Sequence, residues 1–293
     1  MPLAPVPTHP PVTGPGAGRV RGTVVTLAVG KPPRPGTLVA EVARILRQQG
    51  VAVDVVLPHE DQAALEALAV AGAARRPHLL LDRGLRPDAL AAVAALQASG
   101  VPCCNDPGGT ALLGDRHRTN ARLAAGDVPV PRARRAEEWS QVLAGPDGGA
   151  RVVKRADDAA GRASGVALLD VRAAEPPFPG PWLVQELVEG DGVDRKLYVV
   201  GDRVSGLLKP GPLLGVRAPV SAFDPDARLH DLARRVGAVL DLHLYGVDVV
   251  VGPDGPVVVD VNAAPGYRGV AGAPEQVAEH VLQEHLLREH LLR

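Results

Sequence analysis

The chain has 293 residues, 46% of them hydrophobic and 22% charged, enough for about two domains of roughly 100–200 residues each. Lys plus Arg number 32 against 33 Asp plus Glu, a net charge of −1, which excludes a surface built on basic excess for nucleic acid. No apolar run approaches the ~18–20 residues that span a bilayer, so no membrane segment is expected.

The first 20 residues carry six prolines and lack the basic and apolar regions of a secretory signal, so they read as a disordered tail. From residue 21 the pattern alternates. A β-branched run at 22–30 predicts a strand. Apolar residues Leu38, Val42, Ile45 and Leu46 fall at helical spacing over 37–49, and Gly50 stands where a helix takes a C′ glycine. A strand at 51–57, a helix at 61–71, a strand at 78–81 and a helix at 87–98 follow, and 101–104 closes the unit. Strands alternating with helices predict a small parallel sheet with crossover helices. The only cysteines, Cys103 and Cys104, are adjacent. They cannot build a disulfide framework and read as buried strand residues, which suits a reducing, cytoplasmic setting.

Beyond 104 the character changes. Short helices are expected at 115–125 and 137–143, and paired strands at 151–154 and 166–169. Between those strands, 155–165 is small, polar and glycine-bearing, the composition of a loop. Strands at 182–187, 196–200 and 204–208 precede an amphipathic helix at 225–240, a hairpin of 245–251 with 257–261, and a closing helix from about 274. His280, His285 and His290 repeat every five residues. That period rotates about 140° per step, so the three do not share a face. A solvated helix is expected there rather than a metal site.

The basic residues divide into 28 Arg and four Lys: Lys31, Lys154, Lys196 and Lys209. Codon drift in a GC-rich genome explains the scarcity. Lys and Arg are not interchangeable at tight sites, so the four that remain are candidates for function. Asp248, Asp260 and Asn262 stand in the final hairpin, the last two at i, i+2 on one face. Acidic residues inside apolar strands are costly unless paired or metal-bound. Turn capping is the bland alternative; an oxygen-ligand site for Mg²⁺ is the functional one. Lys154, Lys196 and Lys209 near strand ends would complement it by neutralising phosphate oxygens.

At this point the chain resembles the ATP-grasp enzymes over nearly all of 21–290. The run Leu244-Tyr-Gly-Val-Asp-Val-Val-Val, then Val259-Asp-Val-Asn-Ala-Ala-Pro-Gly-Tyr-Arg-Gly-Val270, is similar to the ATP-grasp inositol polyphosphate kinases. It is also similar to RimK-type carboxylate–amine ligases, which carry Glu for the second Asp. The resemblance implies an ATP-grasp α/β and α+β fold: a tail at 1–20, an N-terminal parallel α/β domain at 21–104, a central lobe at 105–184 and a C-terminal lobe with the metal site at 185–293. ATP would lie between the lobes, with 155–165 as the lid.

The same resemblance implies the site. Arg116 and Lys154 would meet nucleotide phosphates. Backbone groups of Gln185, Glu186, Leu187 and Val188 would hold adenine, and Asp194 the ribose. Lys196 and Lys209 would act near the terminal phosphates as binding and catalytic groups. Mg²⁺, with Mn²⁺ as a substitute, would sit on Asp248, Asp260 and Asn262. Lys31, Arg83, Gly266 and Arg268 would meet the substrate, Arg268 also acting in catalysis, although both branches usually have Glu in its place. Asp115-Arg116, Lys196 and Asp260-Val-Asn262 lean to the kinase branch, but 155–165 contains none of the histidine those kinases use for inositol phosphates. The expected activity is therefore ATP-dependent ligation of a carboxylate to an amine, on a small-molecule or peptide substrate, with homo-oligomerisation left open. A kinase of a polyol or inositol-like acceptor is the alternative, and a non-catalytic nucleotide-binding protein the second.

Overall fold

The computed structural model describes residues 23–61, 63–70, 77, 79–144, 150–157, 165–170, 172, 175–210, 213 and 219–291. The expected tail at 1–20, His78 and most of the expected lid, Arg162 included, lie outside the described residues.

Three sheets organise the described residues. The first is parallel, in the order β2-β1-β3. It uses β1 (Val24–Val29), β2 (Ala52–Val56) and β3 (Leu79–Arg83). Parallel neighbours require crossovers, and α1 (Leu38–Gln48), α2 (Ala63–Val70) and α3 (Pro87–Ala98) supply them. On α1 the apolar stripe Val39, Val42, Ala43 and Leu46 is buried, each large member contributing about 1.5–3 kcal/mol. Gly50 takes a φ of 83°, the left-handed turn that ends the helix. Cys103 and Cys104 are buried thiols outside any disulfide, and Cys103 pairs with Leu80 in a parallel β-bridge.

The second sheet is antiparallel, β4-β7-β5-β6, from β4 (Ala133–Ala136), β5 (Arg151–Arg155), β6 (Val166–Leu168) and β7 (Trp182–Glu186). The expected boundary between 184 and 185 falls inside β7. Before this sheet come α4 (Pro107–Leu112) and α5 (Arg116–Ala125), and within it α6 (Trp139–Leu143). Side chains of Asp106 and Asp115 cap α4 and α5 by accepting from Gly109 N and Arg118 N. The third sheet, β10-β9-β8-β11-β12, is also antiparallel. It is built from β8 (Val193–Val200), β9 (Arg203–Pro210), β10 (Ser221–Phe223), β11 (Leu244–Gly252) and β12 (Gly255–Ala263). α7 (Ala227–Leu240) buries Leu229, Leu232, Ala233, Val236 and Leu240 against it.

The last element, α8 (Ala273–Leu291), returns to the first sheet. Its Val277, Ala278 and Val281 share one core with Val39, Val42 and Leu46 of α1 and with Tyr198 and Leu244 of the third sheet. His280 is buried at 7% exposure, which corrects the expectation of a solvated position. The tertiary partner of that face is invisible to a five-residue repeat. No helix among the described residues is long and apolar enough to cross a membrane.

Candidate functional site

The β11–β12 hairpin sets Asp248 directly opposite Asp260, with Asn262 two residues along opposite Gly246. Past Asp248 the register slips, and Val249 pairs with Val258. Val259 is thus an extra residue, a β-bulge that turns its backbone away from the ladder. Its carbonyl accepts a 2.6 Å hydrogen bond from Lys154 Nζ, which reaches across from β5. Lys154 is buried. Burial lowers its pKa, and the Asp260 carboxylate opposes that shift.

Asp194, Lys196 and Tyr198 alternate along β8 and so share a face. Lys196 Nζ donates to both Asp248 carboxylate oxygens at 2.8 Å. Lys209 lies opposite Asp194 on β9 and approaches Tyr198 Oη at 3.4 Å. The Tyr198 ring lies 5.8 Å from Lys196 Nζ and 5.7 Å from Lys209 Nζ, a spacing at which its π-face attracts both cations. Burial raises the Asp248 and Asp194 carboxyls, and the lysines pull both back. At Gly246 a Cβ would stand 3.3 Å from Pro265 Cγ, a tight contact, and 3.5 Å from Lys196 Cε, an ordinary one.

A cleft of about 250 Å³ opens between the second and third sheets. Its walls include Lys154, Gln185, Glu186, Leu187, Val188, Asp194, Asp248 and Asp260. The sequence-predicted nucleotide residues are therefore largely brought to one place. Gln185 is buried and donates to Asn120 Oδ1 at 3.3 Å. The 185–188 stretch is held by Glu186 N to Arg132 O and Leu187 N to Ala150 O. Arg116 heads α5 and points Nε at Asp260 Oδ1, 3.5 Å away, while Nη1 donates to Arg155 O. Arg116, Lys196, Lys209 and Asn262 are not among the described residues that wall the cleft. Arg116 adjoins it through Asp260, and Lys196 through Asp248.

A second cluster forms where β3 ends. Arg83 Nε donates to Ala264 O at 2.8 Å. A Cβ on Gly266 would lie 3.4 Å from Arg83 Nη2 and 3.9 Å from Arg268 Cγ. Burial, then the Arg268 charge, lowers the Arg83 pKa, and a neighbouring anion would relieve that repulsion. The loop supporting them is strained: Ala264 and Tyr267 have φ of 36° and 49°, costing about 1–3 kcal/mol each. Tyr267 Oη donating to Val199 O at 2.6 Å and Ala264 N donating to Leu244 O at 2.7 Å hold it there. Lys31 is exposed and follows Gly30, whose N–H donates to Arg83 O. Its backbone joins the cluster's edge, and among the described residues no side-chain hydrogen bond or ion pair ties it to the two arginines.

Sequence reading missed Tyr198, Asn120 and the bulge at Val259. The i, i+2 alternation from Lys196 carried a signal for Tyr198. The bulge had none, because Val257-Val258-Val259 is an unbroken apolar run. The pairing of Arg83 with the 264–268 loop spans 181 residues, beyond the reach of any local pattern.

No family model matches the chain. Among curated proteins it is 30% identical over 174 residues to a probable alpha-L-glutamate ligase 2 of Hahella chejuensis, covering 54% of this chain and 56% of that protein. It is 35% identical over 101 residues to a probable alpha-L-glutamate ligase of Xanthomonas campestris pv. campestris, covering 31% and 34%. The matches thus span between about a third and somewhat over half of those relatives. Among solved structures, a RimK domain ATP-grasp protein from Sphaerobacter thermophilus aligns at a TM-score of 0.69 with 25% identity, over 89% of this chain and 100% of the other. The ATP-grasp ligase PsnB, solved with a minimal precursor, Mg and ADP, aligns at 0.66 with 19% identity, over 89% and 98%. The D-alanine–D-alanine ligase of Bacillus anthracis aligns at 0.65 with 11% identity, over 92% and 99%.

Proposed function

We propose that this chain, an ATP-grasp protein, is an ATP-dependent carboxylate–amine ligase. The observation that carries the reading is the cleft between the second and third sheets, where Lys154, the 185–188 stretch, Asp194 and the Asp248/Asp260 pair converge. The ligase names of the relatives and neighbours support it and do not favour the kinase alternative.

In this reading the 185–188 backbone receives adenine and Asp194 the ribose hydroxyls. Lys154 and Arg116 meet phosphate oxygens, with Lys196 and Lys209 nearer the terminal phosphate. Asp248, Asp260 and Asn262 offer two carboxylates and an amide, the hard oxygen donors that Mg²⁺ takes, and Mn²⁺ with it. Asp248 is half-buried and already engaged by a cation, Lys196, so the donor set fits. Such an ion would neutralise charge on the terminal phosphates. Arg83 and Arg268, beside Gly266 at the carboxyl end of β3, hold the substrate carboxylate, with Lys31 at the rim. Open α/β sheets bind ligands at that end of their strands. A carboxylate oxygen attacks the γ-phosphorus and ADP leaves. An amine nitrogen then attacks the acyl carbon of the resulting acyl phosphate, expelling phosphate and losing a proton. The substrate is an amino acid or peptide, glutamate being the first to test, and a reducing cytoplasmic setting suits two buried cysteines that form no disulfide.

The test is a product balance with Mg-ATP and a panel of amino acids, short peptides and polyols. Equal ADP and free phosphate with an amide product is expected. ADP without free phosphate, and an acceptor heavier by one phosphoryl group, would refute the ligase reading in favour of a kinase. Asp260→Asn should lose at least about 100-fold in turnover, a loss of about 2.7 kcal/mol in barrier terms, while its far-UV spectrum stays unchanged.

A further inference from the structure

His243 lies between α7 and β11, away from the cleft. Its backbone is held on both sides: Asn105 Oδ1 accepts from its N–H at 2.9 Å, and its carbonyl accepts from Gly201 N at 2.8 Å. Facing it on α8 are His280 and Glu284, four residues apart and so on one helical face. One ligand atom from each of the three lies within 4.8 Å of the others. The imidazole rings stack at 5.8 Å between centroids and 25° between planes.

Two further features distinguish this group from a chance surface cluster. His280 is 7% exposed, and its Nε2 is buried with no hydrogen-bond partner among the described residues. An unsatisfied buried nitrogen costs about 1–3 kcal/mol, so it calls for a partner. The turn between β8 and β9 is also cut to fit: Gly201 has a φ of 57°, and a Cβ there would lie 2.8 Å from His280 Nδ1. Nearby guanidiniums are paired, Arg203 with Glu279 at 2.6 Å and Arg234 with Asp202 at 3.3 Å.

The geometry points to a zinc-type metal site formed by His243, His280 and Glu284. Two imidazole nitrogens and one carboxylate are a set that Zn²⁺ accepts, with water in the fourth position. Mg²⁺ prefers oxygen alone, so the chemistry separates this site from the Asp248/Asp260/Asn262 set. Tetrahedral ligands at about 2.0–2.1 Å from zinc stand about 3.3 Å apart. Ligand atoms within 4.8 Å of one another reach that spacing with closures of at most about 1.5 Å. His243 precedes β11, and at about 3.3 Å per residue it stands roughly 16 Å along the strand from Asp248. The ion would clip α8 to the start of that strand, independently of nucleotide.

The test strips the full chain with a chelator, then titrates it with Zn²⁺ and, separately, Co²⁺, with ATP and Mg²⁺ absent. One equivalent of each is expected to bind, with a visible d–d band for the Co²⁺ form and a raised Tm for the Zn²⁺ form. His280 is buried, so His243→Gln and Glu284→Gln are the variants of choice. Each should bind at least about 100-fold more weakly, the upper end of what losing even an outer-shell partner costs, while Asp260→Asn binds as the wild type does. No binding, equal binding in His243→Gln and Glu284→Gln, or loss of binding in Asp260→Asn would each overturn the assignment.

Discussion

Asp82 shows how one residue sets a pH response. It lies in β3 with 2% of its surface exposed, and its Oδ1 has no hydrogen-bond partner among the described residues. Burial, and to a lesser degree the Asp106 charge, raise its pKa to about 7. The folded chain therefore keeps a proton that the unfolded chain has lost between about pH 4 and 7. Unfolding free energy falls as pH rises through that window and levels off above it. The whole shift corresponds to about 4 kcal/mol. Asp82→Asn removes the titration, so its thermal stability should draw level with or exceed wild type as pH rises from 4 to 8. A gap between the two proteins that stays constant over that range would contradict the account. Asp194 and Asp248 are raised by burial too, but there lysines pull the other way. The sequence showed Asp248 as an acid in an apolar strand, whereas the strand expected at 78–81 stopped one residue short of Asp82, which β3 includes. What it lacked was the neighbour that separates a paired carboxylate from an unpaired one.

At the scale of elements, strong periodicity made most of the fold legible. α1 and α3 fall on their apolar stripe and N1 proline, and the final hairpin on its alternating Val residues. α4 was missed because Pro107-Gly-Gly-Thr reads as a loop. The helix forms because Asp106 caps it and Pro107 starts it. It contains Gly109 because a Cβ there would overlap Leu240 O at the end of α7. Gly109→Ala should therefore reverse the usual helix gain of about 1 kcal/mol and destabilise by about 1–3 kcal/mol. Urea unfolding of the two proteins decides the sign. β4 and β10, only four and three residues long, were missed for another reason. They gain their hydrogen bonds from β7 and β9, so the information that makes them strands lies outside them.

For the molecule as a whole, the legible part of the site was the part written into contiguous motifs. Lys154, the 185–188 stretch, Asp194 and the Asp248/Asp260 pair meet at one cleft, as the family resemblance implies. The packing of α8 on α1 and the His243–His280 stack were not legible, since each joins segments with no shared pattern. That packing ties the first sheet to the last helix. Val281 is fully buried in the shared core, and Val281→Asp should cost about 3 kcal/mol or more by burying an unpaired polar group. Amide exchange should then quicken in α1 and β1 together with α8. The second sheet, whose core is built on Trp182, Val153 and Val142, should hold its protection. Equal loss of protection in all three sheets would show a single cooperative unit instead.

The contact of α8 with α1 also bears on the order in which the molecule is born. A ribosome adds about 5–20 residues per second, and domains tend to fold as they emerge. Here β1, α1 and β2 are made about 220 residues before Val277, Ala278 and Val281, the residues that seal their core. For many seconds the nascent first sheet carries an uncovered apolar face. A partner that shields it during synthesis, or a swap in which one copy's α8 closes another copy's first sheet, would act in that interval.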